Sequence, residues 1–495
     1  MKHIYIIILI GLCFGCSSGF LEIYPETTLN EGNFYKSENE YILLTNGCYV
    51  PMRNYYKEAF WVLSEIPSDN SSFQYCPHDG GGLERRNADL FQVTANDGYN
   101  TSFWNTSYDG ITRCNKLIYE ILKSDASIWK TGGYKERCLG EGYFLRALYY
   151  FNLVRQFGGV PLVVEPISSQ DAVNIKRSEE SVIYDQIILD LNQSVALFEI
   201  AKDKEETGRA NHAASLTLLG KVYLTLQRYK ETETVLQKVL DMKKYSLLPN
   251  YSDLFNPSNK DYIETIYAIQ YSENNKDLSN QFCFFFAPWG SKGDITHRPN
   301  ININNGHHGW NQPTTDLIEA FEVGDKRKDA SIGYWYGKDW DGIERNIPYC
   351  CKFKSPVTAS DNRCSDNFPV LRYADVLLML AEALNEQGET AKAIPFVEQV
   401  RNRAGIDMPK DLNKAKLSEL IEKERRVEFC FENQRWYDLK RTGKALEVLK
   451  AHGAREKSMK PYLSANTYLL EEYMLLLPIP PDEILLNGLE QNPGY

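Results

Sequence analysis

The sequence predicts a mostly α-helical fold that carries long irregular loops and a few short strands, and three observations predict it. Apolar residues recur three and four apart through most of the chain, the spacing of a helix with one buried face. Two segments pair such helices around small residues. Two long stretches rich in Gly, Asn, Asp and Pro interrupt the pattern and cannot sustain regular helix. With 495 residues, 43% of them apolar, the chain has enough hydrophobic side chains for a large core. Its 55 basic and 66 acidic residues leave a formal charge of −11, which gives a phosphate-tracking surface little support and argues against a nucleic-acid partner. The 32 Tyr outnumber the 22 Phe, and 8 Trp add to them; rings with an apolar face and a wet end suit a binding surface.

Residues 1–15 read as a signal peptide. Lys2 supplies a positive start, and Ile4 to Leu12 is an apolar run too short to span a bilayer. The run ends in Cys13-Phe14-Gly15-Cys16, which resembles the lipobox of bacterial lipoproteins that are cleaved and acylated at the cysteine, here Cys16. It departs from the usual pattern in placing Cys13 and Phe14 before the glycine, with the aliphatic Leu12 one step early. Residues 16–32 then form a short polar tether.

The body divides into 33–250 and 251–495. In the first part, helical spacing runs over Asn33 to Asn46, Trp104 to Ser124, Lys135 to Phe157, Ser181 to Ala201, Ala213 to Leu226 and Tyr229 to Lys243, with a loop excursion from Ser64 to Thr101. In the second, an irregular aromatic insertion covers 282–345. It holds Trp289, Trp310, Trp335 and Trp340, half of all the tryptophans, and should be loop with short strands. Helical spacing returns at Leu371 to Gly388, Ala391 to Ala404 and Lys416 to Gly443, and a proline-punctuated tail should pack along the helices. Gly220 and Ala381 mark two tetratricopeptide-like helix pairs, too far apart to be tandem repeats and therefore expected as isolated hairpins. Nine cysteines lie in the body without a C-x-x-C pair, neither a disulfide framework nor a zinc site; Cys114 and Cys430 read as small buried hydrophobes.

Several stretches, in order along nearly the whole chain, resemble the SusD/RagB family of outer-membrane nutrient-uptake lipoproteins from Bacteroidetes. They are Phe20-Leu21-Glu22 with Asn33-Phe34-Tyr35; Glu141 to Pro161; Arg372-Tyr373-Ala374-Asp375 with Val400-Arg401-Asn402-Arg403-Ala404-Gly405; Glu424 to Phe429 with Arg435-Trp436-Tyr437-Asp438-Leu439; and Leu477-Pro478-Ile479-Pro480 with Gln491-Asn492-Pro493-Gly494-Tyr495. The resemblance implies a SusD-like α-helical scaffold and a surface-facing lipoprotein of the cell outer membrane. It also implies capture of an oligo- or polysaccharide without cleavage and delivery to a SusC-like TonB-dependent transporter; no cofactor or metal is expected from the motifs present.

Pyranose C–H faces lie flat on aromatic rings, and rim amides, carboxylates and guanidinium groups bond the hydroxyls. Trp289, Trp335 and Trp340 in the later loop and Tyr75 and Tyr99 in the earlier one are the candidate glycan-stacking residues; Trp310 reads as structural. Two other function classes compete, a glycoside hydrolase and a helical interaction scaffold with no sugar site. Glu424, Glu428 and Glu432 share a helical face, but nearby Arg425, Arg426 and Arg435 favour a structural ion-pair network over a pair of catalytic acids flanking a cleft. His307 and His308 have no further ligand at metal spacing and read as an exposed loop pair. Gly15-Cys16-Ser17-Ser18-Gly19 fits G-x-S-x-G but lacks the strand and helix of a nucleophile elbow. The lipobox reading predicts that Cys16→Ala abolishes recovery of the protein in the outer-membrane fraction; sedimentation of the variant with membranes would contradict it.

Overall fold

The computed structural model describes residues 35–77, 82–201, 204–206, 208–258, 263–291, 293–296, 308–354 and 362–495. The leader, Cys16, the tether and His307 lie outside the described residues. Capping chemistry sets several helix starts. Glu40 reaches back to the Ser37 amide at the head of α1 (Glu38–Lys57). The short α2 (Leu83–Asp89) falls within the predicted loop excursion, once the glycine run has been passed. Asp97 accepts from the amides of Tyr99 and Asn100 to open α3 (Gly98–Lys123). Next come α4 (Tyr134–Phe157), buried on almost every side, and α5 (Glu180–Ile200). Asn211 caps α6 (His212–Thr225), which α7 (Tyr229–Asp241) follows. The C-terminal helices are α8 (Tyr373–Glu386), α9 (Thr390–Ala404), α10 (Lys414–Glu428) and α11 (Arg435–Arg441).

Among the described residues the strands are short and paired in twos. β1 (Ser71–Ser72) lies antiparallel to β3 (Gln312–Pro313), and β2 (Thr265–Ile269) to β6 (Phe368–Arg372). β4 (Ile332–Lys338) pairs with β5 (Glu344–Cys350) in register from Ile332 opposite Cys350 to Lys338 opposite Glu344. The predicted aromatic insertion thus contains short helices at Thr315–Ala320 and Lys326–Ser331 and the first strand and turn of a hairpin of two seven-residue strands, whose second strand runs past its end to Cys350.

The helices form one stack rather than isolated hairpins. α1 packs on α3, α3 on α4, α4 on α5, α5 on α6, α6 on α7, α7 on α8, and α8 on both α9 and α10. The expectation of isolated pairs therefore fails at the α7–α8 contact. Pairing of β2 with β6 brings the ends of the intervening excursion together, so α8 lands beside α7 as a tandem repeat would. Gly220 does what its size predicts: a β-carbon there would stand 2.4 Å from Leu236. The continuous helix expected over Lys416 to Gly443 is also broken. Phe431 and Asn433 adopt left-handed φ of 64° and 59°, and the buried Glu65 carboxylate accepts both of their amides, at 2.8 and 2.7 Å. The tail packs as expected, with the Leu477 amide donating to the Gln156 carbonyl at 2.7 Å and Ile479 buried.

Glu424, Glu428 and Glu432 are ion-paired, as the sequence predicts, and fully buried, but their partners come from elsewhere. Arg327 meets Glu424 at 2.9 Å and Glu428 at 3.2 Å. Arg372 reaches Glu432 at 2.7 Å, Glu264 at 2.9 Å and Glu428 at 3.0 Å. Lys352 pairs with Glu432 at 2.6 Å, Arg401 with Glu424, and Arg403 with Glu428. The neighbours Arg425, Arg426 and Arg435 point away, to Asp375 and Asp438 in the first case and to Asp69 in the other two. Burial by itself would push the Glu428 carboxyl up, but the guanidinium groups of Arg403, Arg372 and Arg327 outweigh it and hold the group far below its ordinary 4.5.

A buried charge stripped of its partner is costly, so Glu428→Gln should destabilise the fold by about 3–5 kcal/mol at neutral pH. Because the folded carboxyl is depressed, its contribution is complete above about pH 4.5 and is lost as the pH falls toward the lowered value. The gap between wild type and variant in urea midpoints should shrink over that window; a gap independent of pH would contradict this account.

Candidate functional site

The site grows from the β4–β5 hairpin. Its tip, 339–343, is a tight turn in which the Asp339 amide donates to the Ile343 carbonyl and the Gly342 amide to the Asp339 carbonyl, both at 2.9 Å, with Gly342 at φ +79°. Asp339 fixes Trp340 in place. One carboxylate oxygen accepts from the Trp340 amide and from Gln74 Nε2, both at 2.7 Å; the other accepts from Arg345 at 3.1 Å. Arg345 also grips both oxygens of Asp341, at 2.6 and 2.7 Å, and this bidentate bond holds Asp341 down to about 2.

Gln74 ties three loops into one surface. Besides its bond to Asp339, its Oε1 accepts from the Trp289 amide at 2.6 Å, and its own amide donates to the Gly309 carbonyl at 2.8 Å. Gly309 is at φ +61°, and a β-carbon there would stand 2.4 Å from Gln74 Oε1, so the chain can pass the glutamine only as glycine. Tyr75 follows. Its ring stacks on Tyr462 at 3.9 Å between centroids, 17° from parallel, and meets Trp340 edge-on at 5.9 Å and 81°. Burial raises the Tyr462 hydroxyl to about 12 although the residue remains 37% exposed. Arg86 of α2 lies over the Tyr75 ring at 5.5 Å.

The five predicted residues separate into two groups. Tyr75, Trp289 and Trp340 are half-buried and converge on Gln74 and Asp339. Trp335 and Tyr99 do not join them as displayed rings. Trp335 is 8% exposed and donates its indole N–H to Asp294 at 3.0 Å. Its ring fills the space left by Gly337 and Gly290, where β-carbons would approach to 2.2 and 3.4 Å. Tyr99 donates its hydroxyl to Glu58 at 2.5 Å and has the Arg85 guanidinium over its ring at 4.9 Å. Trp310 is structural as expected, buried between Arg85 at 3.5 Å and the stacked His308 at 4.0 Å. His308 is accordingly packed rather than exposed.

Sequence reasoning missed Tyr462, Gln74, Asp339 and Arg86. Tyr462 stands alone after Pro461, and nothing in its local pattern connects it with Tyr75. Among the described residues the cysteines are free thiols; Cys114 and Cys430 are fully buried as predicted, and Cys351 is only partly so. No described helix is long and apolar enough to cross a membrane.

Two family models match the chain, one described as SusD family over residues 344–495 and one described as "Starch-binding associating with outer membrane" over residues 29–224. "SusD-like protein P2" of Formosa agariphila is 26% identical over 531 residues, which cover 100% of this chain and 99% of the relative. A solved "Laminarin binding SusD-like protein" shares 27% identity with a TM-score of 0.76, covering 93% of this chain and all of that one. NanU of B. fragilis shares 25% identity with a TM-score of 0.76, covering 96% of this chain and all of that one.

The close fit of Trp335 to Gly337 predicts that Gly337→Ala overpacks the hairpin and costs about 1–3 kcal/mol. Limited proteolysis should then cut within 332–350 faster than in the wild type; identical cleavage rates and unfolding midpoints would contradict the packing described.

Proposed function

Because the chain belongs to the SusD/RagB family, we propose that it is a glycan-binding lipoprotein of a nutrient-uptake system and that it holds its ligand on the surface formed by Tyr75, Trp289, Trp340 and Tyr462. The observation that carries this reading is the convergence of the half-buried or partly exposed rings of Tyr75, Trp340 and Tyr462 from three separate segments, with the Trp289 backbone tied to the same Gln74, around the polar groups of Gln74, Asp339 and Arg345. Such a surface matches what a sugar offers. Ring faces take the pyranose C–H groups, and the amide, carboxylate and guanidinium groups at the rim bond its hydroxyls. Trp335 and Tyr99 serve as supports: Trp335 props the hairpin, and Tyr99 braces Arg85 under Trp310.

Binding without cleavage fits the carboxylates present. A glycosidase acid is a carboxyl with a raised pKa, facing a second carboxylate across the scissile bond. Here Asp339 and Asp341 share one arginine, and Asp341 is held low by it; Asp89, raised to about 6 by burial, is enclosed and bonded to Ser72 and the Tyr468 hydroxyl rather than facing a second carboxylate across the surface. In this reading the glycan passes to a SusC-like TonB-dependent transporter, with Cys16 lipidated and the protein facing outward from the outer membrane. The family description that mentions association with the outer membrane supports a place at that membrane, and the laminarin-binding relative supports a glycan ligand.

Tyr75→Ala and Trp340→Ala should each weaken affinity for a bound glycan by roughly 1–3 kcal/mol in calorimetry, with no reducing ends released by the wild type. Unchanged affinity in both variants would move the site elsewhere, and release of reducing ends would favour a hydrolase.

A further inference from the structure

Two arginines stand side by side on α2, and they face different environments. Arg85 is buried, ion-paired with Glu58 and enclosed by the rings of Tyr99, Phe285 and Trp310. Arg86 is half-buried, lies over Phe73 at 5.8 Å and Tyr75 at 5.5 Å, and has no carboxylate partner among the described residues. The nearest acids of the site are committed to other groups. Asp339 and Asp341 hold Arg345; Asp89 accepts from Ser72 at 3.0 Å and from the Tyr468 hydroxyl at 3.1 Å; Glu456 pairs with Lys460. Lys460 also donates to Ser72 at 3.1 Å. Among the described residues one guanidinium therefore remains uncompensated beside the stacked Tyr75–Tyr462 pair.

A cation laid over an aromatic ring keeps its N–H edge directed outward, and that planar fork matches the two oxygens of a carboxylate or the oxygens of a sulfate. Resting on the glycan-binding reading above, we infer that Arg86 forms an anion subsite at the margin of the Tyr75–Tyr462–Trp340 surface, and that the ligand is an acidic glycan bearing carboxylate or sulfate groups. The sugar ring stacks on the aromatic faces while its charged substituent reaches the Arg86 fork. This subsite supplies specificity by a positive contact in a chain whose overall charge of −11 disfavours polyanions, so recognition depends on this local group rather than on the global field.

The test compares matched pairs of glycans that differ only in charge: galacturonan with and without methyl esterification, xylan with and without glucuronate branches, and a sulfated galactan with and without its sulfate. Calorimetry on the full-length protein should find the acidic member of the pair that binds about tenfold tighter, a ratio that one charge-assisted bidentate contact can supply. The carboxylate and sulfate pairs distinguish the two sources of the anion. Arg86→Ala should remove the preference, costing the acidic member about tenfold more affinity than the neutral one, Arg86→Lys should restore part of it, and raised salt should reduce it. Equal binding of both members, still lost in Trp340→Ala, would overturn the acidic-ligand inference and leave the glycan reading standing, as would an Arg86→Ala variant that weakens both members alike. Failure of every pair to bind would overturn both.

Discussion

Both feet of the hairpin that carries Trp340 are clamped by buried charge. Arg327, just before β4, is held by Glu424 and Glu428, and Lys352, just after β5, is held by Glu432. Arg372, at the end of β6, bonds Glu428 and Glu432 and adds Glu264 from the approach to β2. In a dry interior none of these ions can stand alone, so each position is set by the others. The three glutamates that invite a catalytic reading are thus a mounting plate. They anchor the aromatic insertion to the helical stack and give the hairpin tip a fixed address.

Above that plate the site is organised by satisfied polar atoms. Asp339 and Gln74 carry bonds to the Trp340 amide, the Trp289 amide, Arg345 and the Gly309 carbonyl, so loops far apart in sequence share one rigid rim. Rings behind that rim are enclosed, as Trp335 and Trp310 show; Tyr75, Trp340 and Tyr462 on it are only partly buried. A surface whose rings are already oriented loses little conformational entropy when a ligand stacks on it. That preorganisation is what a flat, weakly adhesive ligand such as a sugar requires.

Local physics was legible in the sequence where it is local. Helical spacing located the long helices, and the size of Gly220 announced its close approach to Leu236. The α7–α8 contact was not legible, because it depends on β2 finding β6 across the excursion. The break after Glu428 was hidden for a similar reason: the amides of Phe431 and Asn433 leave the helix for Glu65, a residue from the opposite end of the chain. At the site, residue type found Tyr75, Trp289 and Trp340. It could not separate Trp335 from Trp340, since which face of β4 turns inward, and that Trp340 falls in the turn after it, depend on the pairing and packing of the hairpin. Tyr462 became visible only once the fold had laid it on Tyr75.

The most direct measurement is hydrogen exchange of the full chain with and without saturating glycan. The account predicts added protection at 73–76, 289–290 and 339–345, together with the segment around Tyr462, and little change elsewhere. Protection confined to the cavity of about 450 Å³ between α3, the 161–175 loop and the Pro481–Asn487 helix, with none at the hairpin tip, would contradict it.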